Sequence, residues 1–217
     1  MESYITPDIK HSVLVTIDIQ NDTLDGQPCE IPGTIEIIQN VIQIIQRYRK
    51  LSLPIIHVVR LYLQDGSNVD LCRRSIVENG GRIFIVGSSG ADLVDGLLPN
   101  KDAKLDTDQL LSGKLQQVGK MEWIVYKPRW GAFYKTPLEK HLNAMDVSTI
   151  IFIGCNYPNC PRTSIYEASE RDFRIIVIKD ALSQFSEQAQ KELNNIGVVV
   201  LDKKEFLNQC GPTTRCT

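Results

Sequence analysis

Cys160 is followed at once by Pro161 and preceded by an apolar run, Val147 to Gly154, that ends on a glycine. Proline is tolerated at the first helical position, where its missing N–H would be unpaired anyway. The spacing therefore predicts a helix that starts at Cys160 and runs to about Asp172. A cysteine at a helix start sits among free backbone N–H groups at the positive end of the helix dipole, which favour a thiolate. Cys160 is thereby a candidate nucleophile. Two other side chains have the complementary chemistry. Asp18 is a carboxylate inside an apolar run, where an unpartnered charge is costly. Lys127 is an ammonium placed directly after the run Met121 to Tyr126. Carboxylate, ammonium and thiol are the set required for nucleophilic acyl transfer. Taken singly, each has an ordinary reading as a turn cap, a solvated lysine or an incidental thiol.

Gathering these three groups is a task for the elements that carry them. Apolar, β-branched runs at 12–19, 54–61, 121–126, 147–154, 174–179 and 197–201 read as strands. Amphipathic stretches lie between most of them. After Pro32-Gly33 comes a stripe of Ile38, Val41, Ile42, Ile45 and Tyr48, and Thr136-Pro-Leu-Glu139 reads as a capping box opening the next helix. Further helices are expected over 186–195 and 203–208. The alternation predicts an α/β fold: a doubly wound, parallel, six-stranded sheet in the order 3-2-1-4-5-6 with helices on both faces. In that order, strands one and four flank the crevice where ligands bind, so Asp18 and Cys160 face each other there, and Lys127 must reach over strand two. Residues 62–118 show no clear strand and include the glycine-rich run 79–90. They read either as a substrate-shaping lid or as a plain surface connection.

Composition narrows the classes. The 217 residues, 42% hydrophobic and 23% charged, suit one globular domain, expected over 1–210 with a frayed tail at 211–217. A net charge of −2 with interspersed signs gives no electrostatic case for nucleic-acid or membrane partners. No run approaches the ~20 apolar residues that span a bilayer, and the N-terminus lacks signal-peptide character. A cytoplasmic protein with a small-molecule partner is expected. The six cysteines (29, 72, 155, 160, 210 and 216) read as free thiols, with no zinc-type spacing. Cys155 and Cys160 are near enough to be weighed as a redox pair.

Three blocks together resemble the isochorismatase-like cysteine hydrolase superfamily: Leu14-Val-Thr-Ile-Asp18-Ile-Gln-Asn-Asp22, Tyr126-Lys127-Pro-Arg-Trp-Gly-Ala-Phe133-Tyr-Lys-Thr136-Pro-Leu, and Gly154-Cys-Asn-Tyr-Pro-Asn-Cys160-Pro-Arg-Thr163. The style continues through Phe173 to Ala181, so the likeness covers about residues 10–205. The resemblance implies that Asp18, Lys127 and Cys160 occupy the family's triad positions. It also implies a non-proline cis peptide at Cys155–Asn156 and an oxyanion held by backbone N–H groups among Cys155, Asn156, Asn159 and Cys160. Metal-binding members carry Asp-x-His and a further histidine after strand two. Here the region reads His57-Val-Val-Arg60-Leu-Tyr62, so neither a metal nor any other cofactor is expected, and nicotinamide is a poor substrate guess. Pro161-Arg162 and Tyr157-Pro158 also depart from the family's commoner small residues, which implies a different pocket.

The expected chemistry is hydrolysis of a carboxamide or similar C–N bond through a thioester. Lys127 and the helix dipole lower the Cys160 pKa, and Asp18 takes the proton. Trp130, Phe133 and Tyr157 are candidate pocket walls, and Arg60, Arg129 and Arg162 are candidate contacts for an anionic group. Gln20 and Asn21 either orient Asp18 or the substrate, or shape the turn. Vinyl-ether hydrolysis without a cysteine nucleophile and a non-catalytic ligand-binding scaffold stay open as alternatives. A symmetric dimer or tetramer is expected, as is common for such folds.

Overall fold

The computed structural model describes residues 4–100 and 102–211. The tail expected beyond 211, with Cys216, lies outside the described residues. Among those described, seven strands form one sheet: β1 (Ser12–Ile17), β2 (Ile55–Val59), β3 (Gln116–Gly119), β4 (Glu122–Tyr126), β5 (Thr149–Gly154), β6 (Arg174–Leu182) and β7 (Val199–Leu201). The helices are α1 (Thr34–Leu51), α2 (Arg74–Glu78), α3 (Thr107–Leu111), α4 (Leu138–Ala144), α5 (Cys160–Ser169), α6 (Glu187–Asn195) and α7 (Lys203–Gln209). The strand order is β3-β4-β2-β1-β5-β6-β7.

The six strands expected from the sequence stand in the expected order, all parallel. The seventh, β3, corrects the count. It pairs antiparallel with β4 at the sheet's edge. Gln116-Gln-Val-Gly119 is short, polar and only half buried, so it carries no period-two apolar signal. Its place comes from the hairpin that returns the chain onto β4.

The central strands β1, β2 and β5 are buried along their whole length. Val13, Val15 and Ile17 meet Leu142, Ile165 and Leu193 on one side of the sheet. Leu14 meets Val41, Ile45 and Phe206 on the other. Each such side chain withdrawn from water contributes roughly 1.5–3 kcal/mol. One cap differs from expectation. Pro137 occupies the N-cap of α4 without a side-chain cap bond, and the Thr136 hydroxyl donates instead to the Ala132 carbonyl at 2.6 Å.

The long connection after β2 has a small core of its own, made of Tyr62, Val69, Ile83, Phe84 and Ile85. Tyr62 exchanges backbone bonds with Phe84 and Val86, and the Phe84 N–H donates to the Asp22 carboxylate at 2.5 Å. The segment is thereby fastened over the C-terminal edge of the sheet. No helix among the described residues is long and apolar enough to cross a membrane.

Candidate active site

Asp18 is the first residue past β1, and its φ of 51° lies in the left-handed region. Its backbone is held on both sides. The N–H donates to the Val58 carbonyl at 2.9 Å, and the carbonyl accepts from the Gln20 N–H at 3.0 Å and from the Cys155 thiol at 2.9 Å. Lys127 leaves the end of β4, with its N–H on the Val59 carbonyl. Its side chain crosses the end of β2, and Nζ reaches Asp18 Oδ2 at 2.8 Å. Both side chains are buried. Asp18 Oδ1 has no hydrogen-bond partner among the described residues, and the Cys160 thiol is close enough to the carboxylate to lower its pKa. Cys160 opens α5 with Pro161 in the first turn, and only 3% of it is exposed.

Burial by itself would raise the Asp18 pKa, but the charges of Lys127 and Arg60 and the bond from Cys160 hold it below the usual carboxylate range. The Cys160 thiol moves the other way. Burial and the Asp18 carboxylate push it up, and Lys127 and Arg60 only partly offset them. The lowered thiol pKa expected from the helix start is therefore corrected. Desolvation outweighs the dipole because the sulfur is almost wholly out of water. Both directions favour a carboxylate beside a protonated thiol.

Arg60 is the buried neighbour of both. Its Nη2 donates to the Arg129 carbonyl at 2.8 Å and to Cys160 Sγ at 3.6 Å, and its Nη1 meets Asp70 Oδ2 at 2.5 Å. Tyr62 donates its hydroxyl to the same Asp70 oxygen. Arg73 donates to Tyr62 and Asp70, and its guanidinium lies 4.7 Å from the Trp130 ring centre, with Arg60 at 5.6 Å. Arg129 is half exposed, with Nε 3.9 Å from Asp70 Oδ1. Tyr62, Asp70 and Arg73 were not picked out from the sequence. The available signal was Asp70 and Arg73 spaced three apart in an otherwise patternless stretch, which identifies a pair but not what it packs on.

Other sequence candidates are placed elsewhere. Gln20 is fully committed to backbone: its amide donates to the Arg60 and Ala91 carbonyls, and its oxygen accepts from the Arg60 N–H. Asn21 ties to the Ser89 carbonyl. Gln20 thus shapes the chain around Asp18 and leaves no group for a ligand, whereas Asn21 is part exposed and keeps its side-chain oxygen free among the described residues. Phe133 and Tyr157 belong to the core, packed against Phe173 and Phe185. Arg162 points away and pairs with Glu192 at 3.4 Å. The peptide between Cys155 and Asn156 is cis. Of the four backbone donors considered, Cys155 N–H is bound to the Ile17 carbonyl and Asn159 N–H to the Asn156 carbonyl. Asn156 and Cys160 are the two without a hydrogen-bond partner among the described residues.

His57 is a core residue. It is fully buried between Thr16 Oγ1 at 2.9 Å and Glu122 Oε1 at 2.8 Å, and Arg49 clamps the far side of Glu122. After β2, Arg60 and Tyr62 present a guanidinium and a phenol. A guanidinium has no lone pair to donate and repels a cation, so these residues do not fit a metal. Among the described residues no group of three or more His, Cys, Asp or Glu side chains gathers in a way that suits an ion.

The Isochorismatase domain model matches residues 12–205. The chain is 29% identical over 197 residues to a protein named "probable inactive nicotinamidase" from Arabidopsis thaliana, covering 87% of this chain and 91% of that one. It is 24% identical over 190 residues to a ureidoacrylate amidohydrolase from Methylobacterium radiotolerans, covering 79% of this chain and 66% of the relative. Among solved structures, an isochorismatase family protein from Desulfovibrio vulgaris superposes with a TM-score of 0.78 at 25% identity, over 93% of this chain and 99% of the other.

Proposed function

Because the chain belongs to the isochorismatase family, we propose that it is a cysteine hydrolase cleaving a carboxamide or related C–N bond of a small molecule. The observation that carries this reading is the buried Asp18 carboxylate, paired through Oδ2 with Lys127, its Oδ1 left without a partner and its pKa lowered by the nearby Cys160 thiol.

The chemistry follows from that arrangement. Asp18 Oδ1 accepts the thiol proton as sulfur attacks the substrate carbonyl, and Lys127 keeps the carboxylate in place. The oxyanion is met by the N–H groups of Asn156 and Cys160. As the tetrahedral species collapses, the C–N bond breaks, Asp18 returns its proton to the leaving nitrogen, and the acyl group stays on sulfur. Water then enters and gives a proton to Asp18 as its oxygen adds to the thioester carbonyl. When the C–S bond breaks, Asp18 passes the proton to sulfur, so the acid leaves and the Cys160 thiol and Asp18 carboxylate are restored. A thiol that is neutral at rest suits this route, because the proton moves only when an electrophile is present.

The test is a panel of primary amides and ureides, followed by release of ammonia or free acid, with wild type beside Cys160→Ala and intact-mass detection of an acyl adduct on Cys160. Loss of at least ~10⁴-fold in the variant is expected for removal of a nucleophile. Unchanged product release in Cys160→Ala would overturn the thioester route. A non-catalytic ligand-binding scaffold is the second reading, supported by the near-complete burial of Cys160 and by the name of the Arabidopsis relative. It predicts neither turnover nor adduct.

A further inference from the structure

Lys127 and Arg60 meet at a group that is not a side chain. The Arg129 carbonyl accepts from Lys127 Nζ at 3.3 Å and from Arg60 Nη2 at 2.8 Å. The same Nζ pairs with Asp18 Oδ2, and the same Nη2 reaches Cys160 Sγ at 3.6 Å. One oxygen therefore registers both cations against the carboxylate and the sulfur. A lysine ammonium has several donors on a flexible stem, so a second acceptor decides where it points. That acceptor is main chain, and its place depends on whatever holds the loop after β4.

The helix that carries the nucleophile holds it. The Ala132 N–H donates to Ser164 Oγ at 3.0 Å, and the Phe133 N–H donates to Glu167 Oε2 at 2.8 Å. Ser164 and Glu167 lie about one and two turns beyond Cys160 on α5. Ser164 Oγ also donates to the Cys160 carbonyl at 2.7 Å. Gly131 makes room for the second tie. Its φ is not positive, so its backbone does not call for glycine, but a Cβ there would run into the Glu167 carboxylate.

We propose that Glu167 is a positioning residue: seated against Gly131 and clamping the Phe133 N–H, it fixes the loop so that the Arg129 carbonyl keeps Lys127 on Asp18. This rests on the reading of Asp18, Lys127 and Cys160 as the reacting groups, and adds a residue that touches none of them. Reacting groups need support to within about 0.5 Å of the productive geometry, and a backbone carbonyl supplies it only while its own loop is held. Ser164 is fully buried, so changing it disturbs the core as well. Glu167 is half-buried and is the cleaner place to release the loop.

A double-mutant cycle tests this without a known substrate. Glu167→Ala and Lys127→Met are made singly and together, and unfolding free energies are measured in urea. If Glu167 acts through the Lys127–Asp18 pair, the double variant should lose about two thirds of the sum of the single losses, or less. Where Lys127→Met does not fold, Asp18→Asn takes its place with the same expectation. Asp202→Ala, which removes the cap of α7, should simply add to either change. Glu167→Gln keeps an oxygen for the Phe133 N–H and should behave nearly as wild type. Gly131→Ala displaces only the carboxylate and should reproduce the coupling of Glu167→Ala. Strict additivity of Glu167→Ala with the pair, or a Gly131→Ala that is also additive, overturns the proposal. On any amide the protein hydrolyses, Glu167→Ala should lower kcat on the order of tenfold or more with KM little changed, and Glu167→Gln should recover it. An unaltered kcat overturns the positioning role. The cycle needs no turnover, so absence of an acyl adduct on Cys160, which counts against the hydrolase reading, is read separately.

Discussion

Lys127 Nζ stands 2.8 Å from Asp18 Oδ2 although β2 lies between the strands that carry the two residues. The pair is wholly inside the protein, where an ion pair offsets its desolvation only while both members are present. Lys127→Met is therefore expected to lose roughly 3–5 kcal/mol of stability, because it leaves the buried Asp18 carboxylate without its ion-pair partner. Chemical denaturation measures this. Asp18→Asn combined with Lys127→Met should cost clearly less than the sum of the two single changes. Strict additivity would show that the pair does not act as a unit.

Acid should destabilise the protein through two carboxylates. Asp18 and Glu122 are both held below their ordinary range, the first by Lys127 and Arg60 against its burial, the second by Arg49 and His57 against its own. A depressed folded pKa contributes stability that is present above the unfolded value and is lost as pH falls through the folded one. Melting temperature is expected to hold near neutrality and to drop below about pH 4. Glu122→Gln should start lower and flatten that acid limb. A limb of unchanged steepness would remove Glu122 from the account.

Gly154 ends β5 with φ +136°, and a Cβ there would lie 2.3 Å from the Ile17 carbonyl oxygen. Backbone cannot yield as a flexible side chain can. Gly154→Ala is expected to cost about 3 kcal/mol in urea unfolding, from strain and from pushing β1 beside Asp18. A change under half a kcal/mol would mean that the two strands separate freely.

Cys155 and Cys160 should resist pairing with each other. The Cys155 thiol donates to the Asp18 carbonyl, and burial pushes its pKa well up, so little thiolate forms there. After treatment with diamide, non-reducing peptide mapping is expected to show no Cys155–Cys160 bridge. A bridge in good yield would restore the redox reading of these two thiols.

How much was legible can be traced residue by residue. Asp18, Lys127 and Cys160 each follow an apolar strand, and a parallel sheet brings strand ends to one edge, so their meeting was readable before any coordinates. The same logic could not sort Phe133 and Tyr157. An aromatic near a strand end carries no mark that tells a pocket wall from core, and both lie buried in the cluster that also holds Cys160. The thiol's protonation state was misread for a related reason. A helix start is visible in the letters Cys-Pro, but the burial of the sulfur, with Arg60 against it, depends on segments far apart in the chain.

Alternating apolar runs and turn residues, which are local, determined by themselves the α/β class, the order of six strands and the edge where the reactive groups gather. Only the tertiary structure decided the polar edge strand β3, the arginine cluster around Asp70 and the sign of the Cys160 shift. Each of those is set by contacts between segments tens of residues apart, and neither desolvation nor charge balance has a period that a sequence can display.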